Sequence, residues 1–288
     1  MKAKLTQQAF TLPLLIVLLL VSFYTLGYAI YLSVYDIDLM SPPPFDFIGL
    51  ANFIEVLKEP RMWLSLWHTL VYVAGSTVAE LVLGSAIALF ISRDFFGRKL
   101  VRALLLLPMI VTPIVAGLIW RIFYDPNAGL FNWIAGMFGI APIDWLGNPG
   151  TAMASLILAD IWQWTPFIIL LVSAGLDALP NEPLEAAELD GARSWRLLAF
   201  IKLPMIKPII LMALFLRMID AFKSFDLIYV MTRGGPALAT ETTNMYAYLT
   251  GFQDFRISAA VVIAIINTLL VIVVLSFASK KVLPTVQN

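Results

Sequence analysis

Six stretches of the 288-residue chain run for about 20 residues or more with few charges, and each is long enough to cross the roughly 30 Å apolar core of a bilayer as a helix. They lie at approximately 11–34, 68–92, 103–124, 151–176, 207–231 and 257–279. In lipid every backbone N–H and C=O has to find a partner within the chain, so the expected fold class is all-α integral membrane, with 1–288 as a single transmembrane domain of six helices. Composition agrees: 60% of residues are hydrophobic, 13% are charged and the mean hydropathy is +0.88, far outside the balance of a soluble domain. The apolar run that follows Lys2 and Lys4 is too long for the core of a signal peptide and reads as a retained span. Pro108, Pro113 and Pro166 remove donors from the third and fourth helical ladders, which makes those two spans candidates for a tilt or a break.

Lys plus Arg and Asp plus Glu balance at 19 each, so net charge is silent about partners and only placement informs. Basic residues collect in the N-terminal tail, in the second connection (Arg93, Arg98, Lys99, Arg102), in the fourth (Arg193, Arg196, Lys202, Lys207) and at Lys280 and Lys281. Short loops rich in Lys and Arg stay in the cytoplasm, which predicts cytoplasmic N- and C-termini and a cytoplasmic fourth connection. The third connection, rich in Gly, Pro and Trp, reads as an irregular surface or re-entrant segment rather than a seventh span, and Trp63, Trp67, Trp133 and Trp145 read as interfacial anchors. No internal repeat stands out. There is no cysteine and one histidine, no phosphate-binding loop, no H-E-x-x-H and no G-x-S-x-G, which argues against thiolate or multi-histidine metal sites, Ser/His hydrolysis and ATP binding of the P-loop kind.

Ionisable residues at membrane depth are costly and are functional candidates by default. On the fourth span Asp160, Gln163, Trp164 and Phe167 recur at i, i+3, i+4 and i+7, one polar and aromatic face. On the fifth, Arg217, Asp220, Ala221 and Ser224 do the same. Two such faces meeting would enclose a wet cavity whose polar groups suit hydroxyls and whose rings suit the apolar face of a sugar. The competing reading is structural: Arg217 and Asp220 neutralise each other, or Arg217 pairs with Asp160. Glu80, with Ser76 and Thr77 nearby on the second span, reads as helix–helix or subunit glue ahead of a pathway role. Glu80, Asp160 and Asp220 also admit a different class of function, relay carboxylates of a self-sufficient proton- or sodium-coupled transporter, and the acid pair admits an intramembrane enzyme.

The fourth connection, 180–204, is charged between two very apolar spans. Leu184, Ala187, Gly191, Trp195 and Leu198 form an apolar stripe at helical spacing, with Pro183 suited to a first turn and Gly191 to a bend. By its residues alone this is either an amphipathic helix on the headgroups or a docking element for a soluble partner. Its run Glu185-Ala186-Ala187, three residues, Gly191, nine residues, Ile201-Lys202-Leu203-Pro204 resembles the EAA loop of ABC-importer permeases at every fixed position. Together with FDLIYVMTRGGP, from Phe225 to Pro236, it resembles the carbohydrate-importer permeases of the maltose, trehalose and glycerol-phosphate type, nearer to the first of their paired permeases.

That resemblance implies a type I importer permease fold in a bacterial inner membrane, working by alternating access. It implies a second homologous permease, a dimeric ATP-binding cassette ATPase and an extracytoplasmic solute-binding protein as partners, besides membrane lipid, with no role for nucleic acid. It implies no cofactor in this chain, ATP and Mg being held by the ATPase. Glu185, Ala186, Ala187 and Gly191 would form the joint with that ATPase, and Asp160, Gln163, Trp164, Phe167, Arg217, Asp220, Ala221 and Ser224 would line the pathway. Which sugar or derivative is carried, and whether it is charged, stays open.

Overall fold

The computed structural model describes the backbone of residues 2–287 apart from 39, 41–42, 93–94, 191 and 193, and the side chains of 12–280 apart from those positions and 194. The helices are α1 (Lys2–Val34), α2 (Ala51–Lys58), α3 (Pro60–Ile91), α4 (Arg98–Ile110), α5 (Pro113–Phe123), α6 (Leu130–Met137), α7 (Pro149–Asp177), α8 (Asn181–Leu189), α9 (Ser194–Leu197), α10 (Leu203–Ala221), α11 (Asp226–Met231), α12 (Thr243–Phe252) and α13 (Ile257–Gln287). Among the described residues the only β pairing is two isolated bridges, Tyr35 with Phe47 and Asp38 with Arg256. Among the described residues five helical stretches are long and apolar enough to cross a membrane: Leu12–Val34, Pro60–Ile91, Pro149–Asp177, Trp195–Ala221 and Ile257–Lys280. The bent pair α4 and α5 makes a sixth if counted as one span.

The chain divides into two compact units, Met1–Trp63 with Tyr246–Thr268, and Leu64–Met245 with Leu269–Asn288. In the first, polar side chains close the turn after α1. Asn52 donates from Nδ2 to the carbonyls of Ser33 and Tyr35, both at 2.9 Å, and Ser258 Oγ donates to Tyr35 O at 2.7 Å while accepting from Ile37 N at 2.9 Å. Arg256 bonds Glu55 and Glu59, and the Arg61 guanidinium lies over the Tyr246 ring at 4.6 Å.

The second unit is built on α7. Its N-terminus is capped by Asn148, whose side chain accepts from Gly150 N at 2.9 Å, and Pro149 occupies the first turn, where a missing N–H costs nothing. One apolar cluster packs Tyr72, Trp120, Tyr124, Leu156, Ala159, Phe222 and Ile228, and a second packs Ala88, Ile91, Ile168, Val172 and Ile206. Helix α4 and helix α10 both lie along α7, and α11 lies along α5.

Three expectations change here. The span expected at 103–124 is a pair of helices bent by 98° at Val111 and Thr112, both extended, because Pro113 forces its predecessor out of the helical region and Pro108 has no N–H to give. Helix α7, by contrast, runs unbroken through Pro166. The span expected at 207–231 starts earlier, through a π-helical turn at Leu198–Lys202, and ends at Ala221; the LIYVM run is a separate short helix, α11. Among the tryptophans, Trp63, Trp67 and Trp133 are exposed, as anchors would be, but Trp145 is half-buried and donates from Nε1 to Asn132 Oδ1 at 3.0 Å, so a buried asparagine draws it inward.

Helices α3 and α7 meet closely because α3 carries glycine at the contact: a Cβ on Gly84 would lie 2.6 Å from Ile168 Cβ, an atom no rotamer change can move. Gly84→Ala is expected to destabilise by about 1–3 kcal/mol. Gly136→Ala in α6, where nothing lies within 4 Å of the added carbon, is expected to be neutral or slightly stabilising. Thermal unfolding of the purified protein with each variant checks the contrast.

Candidate functional site

Between the inner parts of α3 and α7 and the last turns of α10 the chain buries an arginine among three carboxylates. Arg217 Nε donates to Glu80 Oε2 at 2.6 Å and Nη2 to Glu80 Oε1 at 3.1 Å, a two-pronged pair across α3 and α10. Nη2 also bonds Asp160 Oδ2 on α7, and Nη1 bonds Asp220 Oδ2 at 3.2 Å, one turn further along α10. The face of the guanidinium lies over the Trp164 ring at 5.1 Å. Glu80, Asp160 and Arg217 are buried, whereas the side chain of Asp220 is 51% exposed. The arginine therefore ties three helices together, and four of its five N–H groups are spent on carboxylates rather than left for a ligand.

A cavity of about 120 Å³ opens beside this cluster. Asp160, Gln163 and Trp164 line it from α7, Arg217 and Asp220 from α10, and Ser224 from the break between α10 and α11. Gln163 is held by the broken third span: its Nε2 donates at 2.9 Å to Val111 O, a carbonyl that lost its helical donor at the bend. Gln163 Oε1 then has no hydrogen-bond partner, a free acceptor at the cavity wall. Ser224 Oγ is 3.0 Å from the Tyr72 hydroxyl.

Of the eight expected pathway residues, six line the cavity and two do not. Phe167 shares the bearing of Asp160 on α7 but lies seven residues on, about 10 Å along the axis, and packs against the second apolar cluster. Ala221 is buried in the first cluster. Glu80 is the helix–helix glue expected of it, joining α3 to α10 as the two-pronged partner of Arg217. Lys223, Phe225, Asp226 and Leu227 also line the cavity, as does Pro113; sequence reasoning passed over them because an uninterrupted fifth span would have carried them away, and the only signal was the lack of apolar residues at 223, 224 and 226. Among the described residues no group of three His, Asp or Glu side chains is arranged to hold a metal ion.

The fourth connection is two short helices. In α8 Glu185 and Ala186 are exposed and Ala187 is buried, and the helix closes with Asp190 N on Ala186 O and Ala192 N on Ala187 O. Gly191 and Arg193 lie outside the described residues. The expected apolar stripe is not one surface: Leu184 and Leu198 are half-buried, but Trp195, in α9, is 71% exposed. Phe200 is exposed too, but it and Trp195 open the stretch Trp195–Ala221 that is apolar enough to cross a membrane, so Leu189 on α8 is the large exposed apolar side chain outside that stretch.

The model of the family described as "Binding-protein-dependent transport system inner membrane component" matches residues 80–287. The chain belongs to this family. The chain is 37% identical over 266 residues to a "Probable ABC transporter permease protein y4oQ" of Sinorhizobium fredii, covering 92% of this chain and 86% of that one. It is 37% identical over 267 residues to the "Trehalose/maltose transport system permease protein MalF" of Thermococcus litoralis, covering 92% and 88%. A crystal structure of a bacterial alginate ABC transporter in complex with an alginate pentasaccharide-bound periplasmic protein holds a chain that superposes with a TM-score of 0.82 at 21% identity, covering 97% of this chain and 94% of that one. The fold is that of type I ABC-importer permeases, and the protein is a multi-pass translocation subunit of an inner membrane, not an enzyme. Family membership supports the importer-permease reading over a self-sufficient ion-coupled secondary transporter.

In this permease the ion cluster should behave as one unit. Arg217→Met leaves buried carboxylates facing each other and is expected to cost about 3–5 kcal/mol, while the triple variant Arg217→Met, Glu80→Gln, Asp160→Asn should recover most of that loss. Unfolding temperature and membrane yield of the two variants read the difference; a single variant as stable as the parent would show that the cluster does not hold the helices.

Proposed function

We propose that this chain is one of two homologous permeases of an ATP-driven carbohydrate importer and forms half of its translocation pathway. The observation that carries this reading is the cavity beside Arg217: an unpartnered amide oxygen on Gln163 and the Trp164 ring within α7, the half-exposed carboxylate of Asp220 at the end of α10 and the Ser224 hydroxyl in the break that follows. Acceptor oxygens with an aromatic ring suit a polyhydroxylated solute, whose hydroxyls donate and whose C–H faces are apolar. Arg217 is already bound by Glu80, Asp160 and Asp220, and on the rest of the wall Asp220 and Asp226 outnumber the one further cation, Lys223, a balance that favours a neutral sugar over an anion. The printed name of the Thermococcus relative, trehalose and maltose transport, supports the same class.

In this scheme an extracytoplasmic binding protein delivers the sugar, and a dimeric ATPase holding ATP and Mg supplies the switch between outward- and inward-facing states, since a solute shifts that equilibrium only by its difference in affinity for the two. The termini and residues 180–204 lie in the cytoplasm, following the basic residues. Glu185, Ala186, Ala187 and Gly191 meet the ATPase, whose surface covers the apolar side chain that α8 leaves exposed.

Trp164→Ala and Gln163→Ala are each expected to raise KM for binding-protein-dependent sugar uptake about tenfold, the loss of one ring contact or hydrogen bond. Unchanged uptake in both would remove the cavity from the pathway. Gly191→Trp is expected to leave the chain in the membrane but to abolish co-purification with the ATPase; intact association and transport would refute the coupling role. Uptake that persists when the ATPase is disabled would refute the importer reading as a whole.

A further inference from the structure

A second cavity, of about 130 Å³, lies between α4 and α7, further along α7 than the sugar site and with no lining residue in common with it. Its head is polar: Arg102 and Asp177, with Ser173 one turn deeper on α7. Its walls are apolar: Leu106, Ile169, Leu170 and Ala174. Asp177 binds two guanidiniums, Arg98 at 3.2 Å and Arg102 at 3.0 Å, so one positive charge is left over, and Lys99 stands exposed beside them. Two polar atoms here are shut off from solvent and unpartnered, Arg102 Nε and Ser173 Oγ, and Ser173 is 6% exposed. Leaving buried donors unmade costs about 1–3 kcal/mol each, so the site is incomplete without an acceptor. Around it α4 buries nothing and exposes Leu100, Leu104 and Leu107, the surface of a helix lying in lipid.

We propose that this cavity is a binding site for a phospholipid of net negative charge. Its phosphate oxygens accept from Arg102 Nε and Ser173 Oγ beside the uncompensated positive charge, and acyl methylenes fill the apolar walls. The volume suits that part of a lipid and no more: water occupies about 30 Å³ in the liquid, so the void holds a phosphate-sized group or a short length of chain, and the remainder runs along exposed α4. A cation is disfavoured by the two arginines, and a soluble polar solute by the leucine and isoleucine walls. By holding α4 to the C-terminal end of α7, a bound lipid would brace α4 at the end opposite its bend with α5.

The assembly, purified with its partner subunits in mild detergent, is titrated with phosphatidylglycerol or with phosphatidylcholine, and bound lipids are counted by native mass spectrometry. The parent is expected to bind one phosphatidylglycerol about tenfold more tightly than phosphatidylcholine. Ser173→Leu fills the void and removes the hydroxyl while leaving every charge and ion pair in place, and should abolish that preference. Arg98→Gln with Arg102→Gln should do the same, and Arg121→Gln, an equal change of charge whose Nη1 donates to Val230 O elsewhere, should not. Equal binding of the two lipids by the parent, or an undiminished preference in Ser173→Leu, would overturn the proposal. Displacement of the lipid by inorganic phosphate alone, at the same concentration, would assign the site to a free anion and overturn it equally.

Discussion

A charge placed in the middle of a membrane protein has to be answered from within the chain, and Arg217 is answered three times. Glu80, Asp160 and Asp220 come from three different helices, so the requirement to pair the arginine is also a requirement that α3, α7 and α10 be neighbours at that height. Glycine on α3 lets the pairing happen, since a side chain at Gly84 would hold α3 away from Ile168 on α7. The cavity exists because this cluster consumes space and polar groups unevenly: the guanidinium is saturated along its edge, and what remains beside it is the unpartnered oxygen of Gln163, a ring and an exposed carboxylate.

The helix breaks belong to the same arrangement. Irregular backbone at membrane depth survives only where its freed carbonyls are satisfied by protein or water. At the bend between α4 and α5 the Val111 carbonyl is taken by Gln163, and at the break between α10 and α11 the Phe222 carbonyl is taken by Asn244 Nδ2 at 2.9 Å. Each break then puts polar residues beside the cavity, Gln163 through its anchor and Lys223, Ser224 and Asp226 by interrupting an otherwise apolar helix. Two parts of the chain that look like defects in six regular spans thus add to the polar lining that α7 and α10 provide.

The loop at 180–204 obeys a different logic. Its charges set it apart from the apolar spans on either side, and on α8 Leu189 is left exposed, while Trp195 and Phe200 already belong to the next membrane-length stretch. Under the proposed function the exposed side chain of α8 has a partner, the ATPase from which the permease takes its energy.

Much of this protein was legible in its residues. Membrane class, the number of apolar segments, the break to be looked for at Pro108 and Pro113, the polar stripe on α7 and the family resemblance all follow from local composition and spacing, which depend on near neighbours in the chain. What spacing could not supply was distance along and between helices. Phe167 has the right bearing and the wrong height, Ala221 turns into the core, and Glu80 and Arg217, 137 residues apart, meet as an ion pair that neither helix announces alone. The end of the fifth span at Ala221 was hidden because LIYVM is as apolar as any membrane helix, and only packing of α11 against α5 separates the two. A sequence carries the periodicity of each helix, whereas which faces meet, and at what level, depends on the summed contacts of all of them at once.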